Sequence, residues 1–133
     1  MRLSFLPLLC ALLLPLPASA SSLPSIQVRD AYAKPSLAGV TTGVVFLTIS
    51  SHHEDSVLSV STPAAQSAEL HDHLHEGGMM RMRKVDSVAL VPGKPVVFRP
   101  GGLHVMLFGV SPALKEGDTI ALTFTFAHSD PVT

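Results

Sequence analysis

The chain has 133 residues, 47% of them hydrophobic, which is enough for one domain with an ordinary core. Nine Lys and Arg against ten Asp and Glu leave the charge nearly balanced, and this argues against a nucleic-acid surface. The absence of Trp and the single Tyr argue against a platform for stacking bases as well.

The first twenty residues differ in kind from the rest. Met1-Arg2 is a short positive start and Leu3 to Leu16 is an apolar run, broken by Pro15 and Pro17. Small residues at Ala18 and Ala20 fit the cleavage rule for secreted proteins. Residues 1–20 are therefore expected to be a signal peptide, cleaved after Ala20, and residues 21–133 the mature domain. The run is too short and too proline-broken for a membrane span, so none is expected in the mature form. Cys10 is the only cysteine. It lies inside the apolar run and follows Leu9, where a lipoprotein signal needs a small residue. Cleavage leaves a chain with no thiolate and no disulfide, so a metal site built from it in an oxidising compartment is not lost to disulfide formation.

Ile26 to Ala33 alternates, with one shift of phase between Val28 and Ala31, and reads as a strand. Lys34 to Gly39 is a loop by its Pro and Gly. Thr41 to Ser50 is β-branched and apolar, with Val44, Phe46 and one of Leu47 or Ile49 expected to face inward. Ser51 to Asp55, which contains His52 and His53, reads as a solvated turn. Ser56 to Thr62 alternates again, Val57 opposite in face to Leu58 and Val60. After Pro63, a strand puts Leu70 and Leu74 on one face and Glu69, His71, His73 and His75 on the other. The chain turns near Gly77-Gly78 and returns from Met79 to Val85. Val88 to Val91, Val96 to Phe98, Leu103 to Val110 and Thr119 to Ala127 supply further strands between Pro/Gly turns. No stretch keeps a helical period over three turns. Short, evenly spaced strands predict an all-β sandwich or a small Greek-key barrel in a single domain.

The window from Glu69 to Val110 carries the chemistry. It holds three of the seven histidines as His71-x-His73-x-His75, adds His104, and contains every methionine except the initiator: Met79, Met80, Met82 and Met106. Residues two apart on a strand share a face, about 7 Å apart at their bases. His104 therefore projects with Met106, the three histidines project together, and so do Met80 and Met82. A loop at Glu76-Gly77 would set His71 opposite Met82; a loop at Gly77-Gly78 would set His73 there. Imidazole and thioether together suit Cu(I), a soft ion, whereas zinc and the hard cations disfavour thioether. A lone Met on a β face is more often core filler. Three alternating histidines are harder to dismiss, because imidazole is a costly choice for a plain solvated face.

Rival classes fare worse. A blue-copper electron carrier needs a cysteine ligand, which the mature chain lacks. A metallohydrolase built on His71-x-His73 wants more carboxylates and a general base, and Asp72 faces away from the histidines. The chain is thus not expected to be an enzyme. A metal-sequestering or structural β-sandwich module without a delivery role is the remaining alternative.

The sequence resembles the PCuAC-type periplasmic copper chaperones. Their motif is a His, ten residues, a Met, twenty-one residues, then His-x-Met, and His71, Met82, His104 and Met106 meet it without a gap. The likeness extends to Val28-Arg29-Asp30-Ala31, Pro100-Gly101-Gly102 and Leu114 to Asp118; Tyr32 departs from it, standing where relatives often carry tryptophan. The resemblance implies a cupredoxin-like Greek-key β-sandwich. It implies Cu(I) held by those four residues and handed to a copper-accepting protein such as cytochrome c oxidase. It also favours His71 over His73 and His75, and hence a loop centred on Glu76-Gly77. His73, His75, Met79 and Met80 are then auxiliary or entry ligands at the rim. His52, His53 and His128 are left without a role.

Overall fold

The computed structural model describes residues 24–133, so the expected signal peptide at 1–20 lies outside the described residues. Every regular element among the described residues is a strand. In chain order these are β1 (Ile26–Ala33), β2 (Thr42–Ser51), β3 (Asp55–Ser61), β4 (Ser67–Glu76), β5 (Met79–Lys84), β6 (Val88–Leu90), β7 (Val96–Phe98), β8 (His104–Phe108) and β9 (Thr123–Phe126). Among those residues no helix is long and apolar enough to cross a membrane.

The strands form two antiparallel sheets. The larger runs β1-β2-β8-β4-β5, with β7 sharing the edge of β2 beyond β8; the smaller runs β6-β3-β9. Chain neighbours are often not sheet neighbours: β8 returns between β2 and β4. This is the non-local pairing of a Greek-key sandwich. The inner faces meet in one core. Val45, Leu47, Ile49, Leu70, Phe98, Val105 and Leu107 come from the large sheet, against Val57, Val60, Leu90, Phe124 and Phe126 from the small one. Each such side chain contributes roughly 1.5–3 kcal/mol on burial.

Two irregularities fix which residues face in. The phase shift in β1 is a bulge between Arg29 and Tyr32, where Asp30 takes φ 55°. A second bulge between Val57 and Ser59 in β3 puts both Val57 and Val60 in the core, although strict alternation assigns them to opposite faces. In β2 the inward set is Val45, Leu47 and Ile49, not Val44 and Phe46. Phe46 is buried on the outer face instead, 5.4 Å from the ring of Tyr32, with the Lys34 ammonium 5.8 Å from its centroid. The run from Val44 to Leu47 is apolar on both faces, so a period of two cannot tell inside from outside.

Candidate metal site

The histidines of β4 lie on the outer face of the large sheet, beyond the core that Leu70 joins. Two neighbouring strands complete the surface around them. On one side β8 pairs with β4 so that His104 stands opposite His71 and Met106 opposite Glu69. On the other side β5 sets Lys84 opposite His71, Met82 opposite His73 and Met80 opposite His75. All these positions share one face, as the parity argument required.

The hairpin register differs from the expected one. The loop is Gly77-Gly78, and Met82 faces His73 rather than His71. Both loop residues have positive φ, 58° and 79°, the geometry of a two-residue turn that matches strand twist. Glycine takes that conformation without steric cost, whereas a loop at Glu76-Gly77 would force Glu76 into it. Met82 is therefore one diagonal step from His71, roughly 7–8 Å between the side-chain bases.

A turn and a carboxylate fix the two central imidazoles. Arg99 to Gly102 closes a turn through the Gly102 N–H to the Arg99 carbonyl, 3.0 Å. Pro100 holds its second position and Gly101 (φ 79°) its third, as type II requires. The turn presents the Gly102 carbonyl to His104, whose Nδ1–H donates to it at 2.9 Å. His104 Nε2 is then the basic nitrogen. It is buried and has no partner. On β4 the order is reversed. His71 donates Nε2–H to Glu69 at 2.9 Å, which leaves Nδ1 basic, and that atom is also buried and unpartnered. The hydrogen bond from His71 holds the Glu69 carboxyl below its ordinary range; burial opposes the effect and Lys84, 3.4 Å away, adds to it.

An unsatisfied buried nitrogen ordinarily costs about 1–3 kcal/mol. Two of them on facing rings 5.8 Å apart form a pair of lone-pair donors held ready for a ligand. Metal-bound imidazoles are generally fixed in this way, by a carboxylate or carbonyl on the other ring nitrogen. Burial pushes the His104 imidazole below its ordinary pKa. The bond to Gly102 resists this, and the neighbouring His73 and His71 reinforce it. The ring is therefore kept neutral and free to bind.

The remaining donors differ in exposure. Met106 is half-buried, on the wall of an outer-face groove with Leu37, Val40 and Val44. Met82 is 51% exposed and stands across the hairpin from His73. His73 was expected only at the rim, yet its ring centroid is 5.3 Å from that of His104, nearer than His71 comes. His75 is exposed, and Met79 and Met80 are 60% and 52% exposed beyond it, at the hairpin end. Among the described residues no three His, Cys, Asp or Glu side chains are grouped as a metal ligand set. Beside the imidazoles this face carries the thioethers of Met82 and Met106, donors that suit a soft ion.

The other histidines lie apart. His52 is exposed. His53 Nε2 sits 3.2 Å from Ser129 Oγ and 3.7 Å from Asp55 Oδ2. Serine and carboxylate thus crowd the same ring nitrogen, which is not the arrangement of a hydrolytic relay. Asp55 accepts hydrogen bonds from the Ser129 hydroxyl and from the Ser56 and His128 amides, the last two 2.8 and 2.9 Å long. The cluster ties the C-terminal segment to β3.

The likenesses to known proteins fit this picture. The family model described as "Putative lipoprotein LpqE-like" matches residues 26–133. "Putative lipoprotein Lxx21020" of Leifsonia xyli subsp. xyli is 29% identical over 117 residues, covering 84% of this chain and 70% of that protein. Among solved structures, the apo PCuAC domain from PmoF1 superposes with a TM-score of 0.68 at 18% identity, over 84% of this chain and 90% of that one. The solution structure of CuI-DR1885 from Deinococcus radiodurans gives 0.65 at 25% identity, over 86% and 78%. The all-β sandwich is thus the fold of PCuAC domains.

Proposed function

This chain belongs to the LpqE-like family, and from that premise we propose that it is an exported carrier of Cu(I). His71, His104, Met106 and Met82 hold the ion, and a copper-accepting protein receives it. The observation that carries the reading is the pair of buried, unpartnered nitrogens, His71 Nδ1 and His104 Nε2. The Deinococcus relative is described with Cu(I), and neutral imidazole and thioether donors suit that ion. Met106 supplies a sheltered thioether beside the imidazoles. Met82 supplies an exposed one that closes over the ion and opens to release it. A ligand set with no thiolate or carboxylate leaves the ion's charge uncompensated, which favours exchange over permanent retention. No catalytic step is assigned to the chain. Residues 1–20 serve as its export signal to the periplasm, and cytochrome c oxidase is the acceptor that the resemblance suggests.

The test is competition for Cu(I) against a chromophoric chelator, with X-ray absorption on the loaded protein. Wild type should bind one ion tightly with two nitrogen and two sulfur neighbours. His71→Ala/Met106→Ala should lose that binding. An unchanged affinity in the double variant, or oxygen-rich coordination, would overturn the reading.

A further inference from the structure

Soft donors do not stop at these four residues. Along the β4–β5 hairpin each step of two residues sets an imidazole directly across from a thioether: His73 from Met82, then His75 from Met80. Directly opposed side chains have their bases about 4.5–5.5 Å apart, close enough for one ion to touch both tips. The pairs lie on the face that holds His71 and His104, and the steps between them are about 7 Å. Exposure rises along the row. His104 is 3% exposed, Met82 51% and Met80 52%, with Met79 at 60% beside the turn. His73 lies between the two regions, its ring 5.3 Å from His104.

A methionine in an exposed strand has little to gain by burial, and β5 carries three. Arg81 and Arg83, on the other face of the same strand, are the residues an exposed strand ordinarily shows. The thioethers fall only where a histidine faces them, or where Met79 flanks the turn opposite Glu76.

We propose that His75 and Met80 form a second, weaker soft-metal position at the open end of the hairpin, and that His73 passes Cu(I) between it and the buried site. The inference rests on the Cu(I)-carrier reading. It adds a route: the ion leaves the His71/His104 pair by exchanging one ligand at a time, first for His73 and then for the His75–Met80 pair, where an acceptor can reach it. Each step forms one dative bond as another breaks. The copper stays Cu(I), and no electron or proton is needed.

The experiment uses the mature chain titrated with Ag(I), a redox-inert stand-in for Cu(I), followed by the Met methyl and His ring resonances. Wild type should take a tight first equivalent that shifts Met106. A weaker second equivalent should shift Met80 and His75. In His75→Ala/Met80→Ala the first equivalent should persist and the second vanish. Transfer of bound Cu(I) to an external chelator should slow by about tenfold, the low end of what loss of a supporting metal contact costs. A double variant that keeps the second equivalent, or releases copper at the wild-type rate, overturns the relay while leaving the carrier reading intact. Absence of the first equivalent in wild type overturns both.

Discussion

His71 stands directly across the strand pair from His104, and the two rings present opposite nitrogens: Nδ1 of the first and Nε2 of the second are both buried without a partner. Glu69 and the Gly102 carbonyl decide which nitrogen each ring leaves free. The site is therefore specified two residues away from its donors on both strands.

Glu69 should matter without touching the metal. Glu69→Ala frees the His71 ring to turn or to change tautomer, and Cu(I) affinity should fall by about 10- to 100-fold. Glu69→Gln keeps an oxygen acceptor for Nε2–H and should recover much of the loss. Chelator competition on both variants checks this; equal affinities for Ala and wild type would refute it.

Removing the buried imidazole should separate folding from binding. His104→Leu eliminates the unpartnered Nε2 but also the Nδ1–H bond to the Gly102 carbonyl; the two effects offset, so the metal-free variant should unfold within about 1 kcal/mol of wild type. The same variant should lose the copper-induced rise in Tm that ligand binding to the native state confers. Urea unfolding of the metal-free protein gives the first readout, and thermal unfolding with and without Cu(I) the second.

Acid should destabilise the protein through Asp55. Burial pushes this carboxyl up, but hydrogen bonds from the Ser129 hydroxyl and the Ser56 and His128 amides outweigh it and lower the pKa from 3.8 to about 2. A depressed native pKa stabilises the fold above the unfolded value and loses that stabilisation as pH falls through the native one. Stability should accordingly drop by about 2 kcal/mol from roughly pH 5 down to pH 2. Asp55→Asn should flatten this part of the profile while lowering stability at neutral pH, as measured by the urea midpoint against pH.

Gly109 closes β8 with φ 68°, and a Cβ there would lie 2.7 Å from the Gln66 Cγ and Cδ atoms and 2.9 Å from its Cβ. Gly109→Ala meets both the strained conformation and the clash. It should destabilise by about 2–3 kcal/mol, against about 1 kcal/mol for Gly117→Ala, where φ is 88° and nothing lies within 4 Å. Thermal unfolding of the two variants tests the difference.

The all-β sandwich was legible because alternation and Pro/Gly turns are local signals: the bounds of β1 and β7 follow from them directly. The inward face of β2 was not, because its apolar run is buried on both sides. Nor was the fate of Val60, because a bulge inverts the alternation in β3. The hairpin register is hidden in the sequence for a different reason. Motif spacing favoured a loop at Glu76-Gly77, while the turn itself demands positive φ at both positions, which Gly77-Gly78 meets. His73 lies beside His104 rather than at the rim because of the β4–β8 pairing, which joins segments far apart in sequence. The role of Glu69 left a readable trace: a carboxylate two residues from a histidine shares its face on any strand.

The position of β5 in the sheet has a consequence for how such a molecule can be adjusted. The β8 strand, which carries His104 and Met106, is hydrogen-bonded to β2 along one edge and to β4 along the other, whereas β5 ends the sheet and is bonded to β4 alone. One jaw of the proposed site is thus set in the frame and the other hangs from it. Substitutions of the core residues of the framed strand, Val105 and Leu107, alter grip and folding together. Those on the hanging jaw can change the speed of letting go with little penalty to the fold, so β5 is where dwell time can be retuned while the sandwich stays as it is.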